Sequence, residues 1–257
     1  MDGYEEYYRQ RTNPEVHNWL FMKGPLPVIC IVAAYLVFVL KVGPDFMAKR
    51  KPYNLQAILV VYNLFLALYS LFIVTKYFAV GGISYAVYDG LCKPNVVSED
   101  ILRSIADITW WYFMGKVFEL ADTVFFVLRK KHQQVTFLHV YHHSALILVV
   151  WYIYKYIPCE QASVCLFVNS VVHIFMYTYY MLAALGPRIQ KYLWWKKYIT
   201  LLQLVQFSLV VTYCAYMLLF DCIHPKITSV FFLIFESIFW YLFARFYYNS
   251  YIKKVKV

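Results

Sequence analysis

Residues 138–157 read LHVYHHSALILVVWYIYKYI. At about 1.5 Å of rise per residue, such a run spans the roughly 30 Å hydrocarbon core of a bilayer. It opens on three imidazoles, His139, His142 and His143, spaced i, i+3 and i+4, so all three share one helical face. Upstream, residues 105–128 form a second apolar stretch, punctuated by Lys116, Glu119, Asp122 and Thr123 at the same helical spacing. A charged side chain at the centre of a membrane helix costs about 2.5–3.5 kcal/mol on insertion scales, so such residues mark functional positions. The short basic loop Arg129-Lys130-Lys131-His132 joins the two clusters.

The whole chain has the same character. Its 257 residues are 62% hydrophobic and 21% aromatic with 15% charged, against about 45–50% apolar and 25% charged for a soluble domain. The composition describes an all-α polytopic membrane protein with a single domain over residues 1–257. Seven spans are expected, near 25–42, 55–75, 105–128, 138–157, 160–184, 198–220 and 227–249. Pro44 and most other prolines read as span ends, and Pro158 separates the fourth span from the fifth. The first twenty residues are polar and acidic, which argues against a cleaved signal peptide.

Loop charges set an orientation. With seven spans, one face collects 14 basic residues against one acid, Asp45, and the other collects 8 basic and 9 acidic residues. The basic face is cytosolic by the positive-inside rule, placing the N-terminus in the lumen and the C-terminus in the cytosol. The net charge of +10 is therefore topological, and binding to nucleic acid is excluded as its explanation. The tail Lys253-Lys254-Val255-Lys256-Val257 resembles a dilysine retrieval signal of endoplasmic-reticulum membrane proteins, although positive-inside bias also accounts for it. Cys92, Cys159 and Cys222 fall in lumenal loops, where a Cys92–Cys222 disulfide is the expectation and free thiols the alternative.

Two further spans carry polar stripes: Asn169, His173 and Tyr177 on the fifth, and Thr200, Gln203 and Gln206 on the sixth. Spans two to four and five to seven are expected to form two inverted three-helix halves around a cytosol-facing cavity, with span one added. Helix rise puts Asp122, His139 and Gln203 roughly 10–13 Å from the cytosolic ends, and His173 and Lys116 near mid-membrane. A polar chamber open to the cytosol and continuing into an apolar interior suits an amphiphile with a polar head and an acyl tail.

Taken one at a time, these residues have plainer roles. Lys116 with Glu119 or Asp122 can be a structural ion pair. His173, Gln203 and Gln206 can be interhelical hydrogen-bond partners. The HxxHH box also admits a metal, which would make the protein a metal-dependent membrane lipid oxidase or hydroxylase. Di-iron enzymes of that kind draw on about eight histidines, however, and this chain has seven, of which His17, His132 and His224 lie outside the spans. A single zinc on four histidines stays open. A seven-span receptor or transporter is the other alternative, set against by short loops and a site facing the cytosol.

Four motifs in order tie the chain to one family. Lys116 to Thr123 reads KxxExxDT, His139 to His143 reads HxxHH, Asn169 to Tyr180 reads NxxxHxxMYxYY, and Thr200 to Gln206 reads TxxQxxQ. Together they resemble the fatty-acid elongases (ELO, elongation of very long chain fatty acids). The resemblance implies a condensing enzyme of the endoplasmic reticulum. It joins a long-chain acyl-CoA to malonyl-CoA, releasing CO2 and CoA and leaving a 3-oxoacyl-CoA two carbons longer. No cofactor or metal is expected. The implied partners are the bilayer, the ketoacyl-CoA reductase, dehydratase and enoyl-CoA reductase that complete the cycle, and a second copy in a homodimer.

The chemistry assigns expected roles. Cys30, Cys165 and Cys214 lie toward the lumenal side, so a covalent acyl carrier should be a histidine. His142 is the expected nucleophile, forming an acyl-imidazole, with Asp122 orienting the ring. His173, His139 and His143 are expected to hold the malonyl carboxylate or the developing enolate. Lys116 and Glu119 fix the helix pair, with Thr123 and Tyr177 also lining the site. Asn169, Gln203 and Gln206 offer amide hydrogen bonds to thioester or pantetheine, and Lys130, Lys131, Lys196 and Lys197 can meet the CoA phosphates.

Overall fold

The computed structural model describes residues 18–82, 99–156, 159–220 and 226–253. Cys92 and Cys222, and the tail lysines Lys254 and Lys256, lie outside these residues. Among the described residues the regular structure is helical, with no strand. Seven long helices occur in chain order: α1 (Leu26–Ala48), α2 (Gln56–Ala79), α3 (Glu99–Leu128), α4 (Phe137–Tyr156), α5 (Cys159–Ala184), α6 (Lys196–Leu219) and α7 (Lys226–Tyr247). Six of them, all but α3, are long and apolar enough to cross a membrane. The 30 residues of α3 have the length to do so, but seven of them are charged: Glu99, Asp100, Arg103, Asp107, Lys116, Glu119 and Asp122. The chain is thus a helical, multi-pass membrane protein.

The helices fall into two compact units. One contains α1, α3 and α4, and the other α2, α6, α7 and α5 from Ser163 onward. This grouping differs from the chain-order halves that the sequence pattern favours, because α3 and α4 make their contacts with α1.

In the first unit, α1 buries Val28, Val32, Tyr35, Val39, Gly43 and Met47, a stripe at three- and four-residue spacing. The helix does not stop before Pro44, as expected from sequence, but runs on to Ala48. Pro44 has no N–H, and its ring would strike the carbonyl four residues back. A π-turn over Phe38–Val42 absorbs the conflict, with the Gly43 N–H donating to the Phe38 carbonyl. Position 43 has no space for a Cβ, which would sit 2.7 Å from Val127 Cγ1 on α3 and 2.8 Å from the Phe38 carbonyl. Glycine here lets α1 and α3 approach closely.

The end of α3 is tied to the same neighbour. The Leu128 carbonyl accepts from the Tyr53 N–H at 3.1 Å, and the Lys130 ammonium donates to the Ala48 carbonyl at 3.2 Å. Lys130 adopts φ 55, the left-handed conformation usually taken by glycine after a helix. Its N–H reaches the Val127 carbonyl at 3.0 Å, and the Lys131 N–H reaches Phe126 at 2.8 Å, the paired bonds of a Schellman cap. Five residues on, Thr136 starts α4. Its carbonyl accepts from Val140 at 3.0 Å and its hydroxyl from the His139 N–H at 3.2 Å, an N-cap that sets the register of the histidine helix. At the far end of α4, a turn near the N-terminus packs the fully buried Met22. There the Trp151 indole donates to the Phe21 carbonyl at 2.9 Å, and Lys155 donates to Met22 at 2.9 Å.

In the second unit, α2 buries Leu59, Asn63, Leu66, Ala67, Ser70, Ile73, Val74 and Tyr77. Leu66 and Ala67 pack with Met176, Tyr177 and Tyr179 of α5, and with Leu193 and Ile199. The Tyr77 hydroxyl bonds Ser163 at 3.1 Å, and its ring stacks on Phe167 at 4.9 Å. Phe207 of α6 packs on Phe239 and Phe243 of α7.

The left-handed cap generates a prediction. Lys130→Gly and Lys130→Ala both delete the contact to Ala48, but only alanine keeps the strained φ. Thermal unfolding of the purified protein should find the glycine variant more stable than the alanine variant by about 1 kcal/mol. Equal stabilities would contradict the geometry.

Candidate functional site

The first unit brings together the polar residues of α3 and α4. On α3, Lys116 Nζ lies 2.8 Å from Glu119 Oε1 and 3.1 Å from Oε2, with both side chains buried. The ammonium also sits 4.6 Å from the centre of the Tyr112 ring. One turn beyond the pair, the fully buried Thr123 shares a 2.8 Å hydrogen bond with the Tyr35 hydroxyl of α1. Asp122 is half-buried, and close enough to interact electrostatically with Lys116 and Tyr35.

Across from these groups, the three α4 imidazoles form one cluster. The His139 and His143 rings are 4.4 Å apart, and those of His142 and His143 are 5.3 Å apart and nearly perpendicular. Phe126 of α3 packs 5.1 Å from His139. His143 is buried, within electrostatic reach of both Lys116 and Glu119. The Nε2 atom of His139 is buried and has no hydrogen-bond partner in the protein. A buried polar atom left so is costly, and a substrate atom can satisfy it. Among the described residues, no group of three or more His, Cys, Asp or Glu side chains is placed to hold a metal ion.

The second unit holds the other expected residues. Asn169, His173 and Tyr177 are buried on α5, with the rings of His173 and Tyr177 at 5.4 Å. Asn169 Nδ2 donates to Gln206 Oε1 at 3.4 Å, and Gln203 Nε2 points to Met176 Sδ at 3.5 Å, so α5 and α6 share one amide-rich face. Thr200 is buried at the start of α6. Cys165 and Cys214 are free thiols of this unit, and the exposed Cys30 is a free thiol of the first.

The four lysines offered to CoA phosphates divide. Lys196 and Lys197 are exposed at the start of α6, whereas Lys130 spends its ammonium on the Ala48 carbonyl. Sequence reasoning missed Tyr35, Tyr112 and Thr136. A Thr before an apolar helix is a readable N-cap signal. The pairing of Tyr35 with Thr123 spans 88 residues and leaves no local trace.

The Lys116–Glu119 pair is testable on its own. Removing one partner leaves the other charge buried and alone, at a cost of about 3–5 kcal/mol, whereas apolar replacement of both is far milder. Lys116→Met and Glu119→Met should therefore each lower the melting temperature more than the double variant does. A double variant as unstable as the sum of the singles would refute the pairing.

Comparison with known proteins gives the chain a family. A model of the ELO (GNS1/SUR4) family matches residues 20–257. The very long chain fatty acid elongase 4 of Mus musculus is 41% identical over 250 residues, covering 96% of this chain and 79% of that protein. The Homo sapiens protein of the same name is 40% identical over 250 residues, with the same coverage. The very long chain fatty acid elongase 7 of Drosophila melanogaster is 38% identical over 257 residues, covering 98% of this chain and 77% of that one. A family match over nearly the full length, with relatives near 40% identity, shows that this chain belongs to the ELO family of fatty-acid elongases.

Proposed function

We propose that the protein is the condensing enzyme of a fatty-acid elongation cycle, joining an acyl-CoA to malonyl-CoA with the α4 histidines at the centre of the chemistry. The observation that carries this reading is the buried imidazole cluster beside a buried ion pair, with one ring nitrogen left for a ligand. No metal or redox cofactor enters, since the substrates supply both the activated acyl group and the latent carbanion.

In the first half-reaction, a ring nitrogen of His142 attacks the acyl thioester. The carbon–sulfur bond breaks, CoA leaves with a proton, and the acyl group remains on the imidazole. Asp122 holds the ring orientation. In the second, malonyl-CoA loses CO2 to give an enolate whose carbon attacks the acyl carbonyl. The acyl–nitrogen bond breaks, the departing ring nitrogen takes a proton from solvent in place of the one CoA carried off, and 3-oxoacyl-CoA departs. His139, His143 and His173 stabilise the malonyl carboxylate and enolate oxygens. Asn169, Gln203, Gln206, Tyr177 and Thr123 orient thioester and pantetheine, and Lys131, Lys196 and Lys197 meet CoA phosphates.

Topology follows the same reading. α3 crosses the membrane as a seventh span, with Lys116 and Glu119 paired and Glu99, Asp100, Arg103 and Asp107 in its first nine residues. The N-terminus is lumenal, the C-terminus cytosolic, and the membrane that of the endoplasmic reticulum. Each run of three consecutive crossings, α2–α4 and α5–α7, then starts from the opposite side, giving inverted halves with α1 added. The cycle's reductases and dehydratase are the working partners, and a homodimer is the expected assembly.

Purified protein incubated with acyl-CoA alone should release CoA and gain an acyl mass that maps to His142. His142→Ala should abolish both, while His139→Phe should keep CoA release and lose at least about tenfold in malonyl-dependent turnover. CoA release at an undiminished rate from His142→Ala would eliminate the acyl-imidazole.

A further inference from the structure

The turn between α5 and α6 presents a basic, aromatic surface that the condensation does not use. Gly186, at φ 101, opens it, and a short helical turn follows over Pro187–Gln190. Gln190 Nε2 donates to the Ala183 carbonyl at 2.8 Å, the Tyr192 N–H to Ile189 at 2.9 Å, and the Leu193 N–H to Gln190 at 3.0 Å. Leu193 is buried in the core cluster, and Trp195 packs edge-on to Tyr179 at 5.3 Å. With those two side chains pinned inward, Tyr192 and Trp194 face outward, 62% and 74% exposed. Trp194 meets Tyr198 edge-on at 5.9 Å, and Lys191 Nζ lies 4.8 Å from the Tyr192 ring centre.

The same turn carries exposed Arg188 and Lys191 next to Lys196 and Lys197. No acidic residue occurs anywhere between Glu160 and Asp221. Among the described residues, no carboxylate pairs with Arg188 or Lys191. The segment joins two membrane helices, so it emerges at a bilayer surface. Exposed Trp and Tyr at that depth sit among lipid head groups, which they accept regardless of charge. Two unpaired cations beside them add a preference: each basic residue near an anionic surface strengthens binding about fivefold.

We propose that the α5–α6 turn binds anionic phospholipid head groups, with Arg188 and Lys191 on the phosphate and Trp194 and Tyr192 seated against the glycerol and upper acyl region. The rigid inward anchors make this a preformed surface at the foot of α5 and α6, the helices that carry Asn169, His173 and Gln203. Lys196 and Lys197 are left to CoA.

The test is native mass spectrometry of the full-length protein in neutral detergent, titrated with equal amounts of phosphatidylinositol and phosphatidylcholine. Wild type should retain phosphatidylinositol about tenfold or more over phosphatidylcholine. Arg188→Gln/Lys191→Gln should collapse that ratio toward one while keeping the wild-type melting temperature, and Lys191→Gln alone should lower it about fivefold. Trp194→Ser should weaken retention of both lipids. Equal retention by wild type or an unchanged ratio in the double variant would overturn the proposal. So would displacement of the lipid by inorganic phosphate or free CoA, which would reassign the cations to a soluble phosphate ligand.

Discussion

A lysine and a glutamate cannot lie inside a membrane helix without each other. Lys116 and Glu119 sit one turn apart, their charged atoms 2.8 Å apart, and almost no solvent reaches either. Both side chains are buried, so each charge leans on its partner, and the ammonium also on the Tyr112 ring. The rest of the first unit follows from accommodating that pair. α1 and α3 approach closely at Gly43, the Tyr35–Thr123 hydrogen bond ties the same two helices nearer the pair, and α4 brings His143 within electrostatic reach of both charges. In the proposed reaction, the same clustering would let developing charge be stabilised without solvent reorganisation.

Positions along the chain are held by caps. A Schellman turn ends α3 and a threonine N-cap begins α4, so the eight residues 129–136 set how the acid–amine helix and the histidine helix are phased. The use of Lys130 at a left-handed position is a local strain maintained by two external ties, Lys130 to Ala48 and Tyr53 to Leu128.

Much of this was legible because a membrane protein makes polar residues conspicuous. The KxxExxDT and HxxHH spacings place their side chains on single helical faces, and the structure gathers both on the interior of one unit. The Asn169–Gln206 contact likewise follows from two polar stripes with nowhere else to turn. What could not be read were features that depend on distant partners or on irregular backbone. Pro44 looks like a terminus, yet a π-turn carries α1 past it, because one widened turn costs less than exposing the helix end. The pairing of α1 with α3 and α4 rests on a glycine contact and a tyrosine hydroxyl that carry no periodic signal.

The central claim is that an imidazole of α4 holds the acyl group between two half-reactions, and a single-turnover chase tests it most directly. Protein treated with a labelled acyl-CoA, freed of unbound substrate and then mixed with malonyl-CoA alone, should yield close to one equivalent of labelled 3-oxoacyl-CoA per acylated chain. Failure of the isolated acyl-protein to form product, while the same preparation turns over with both substrates present, would contradict it.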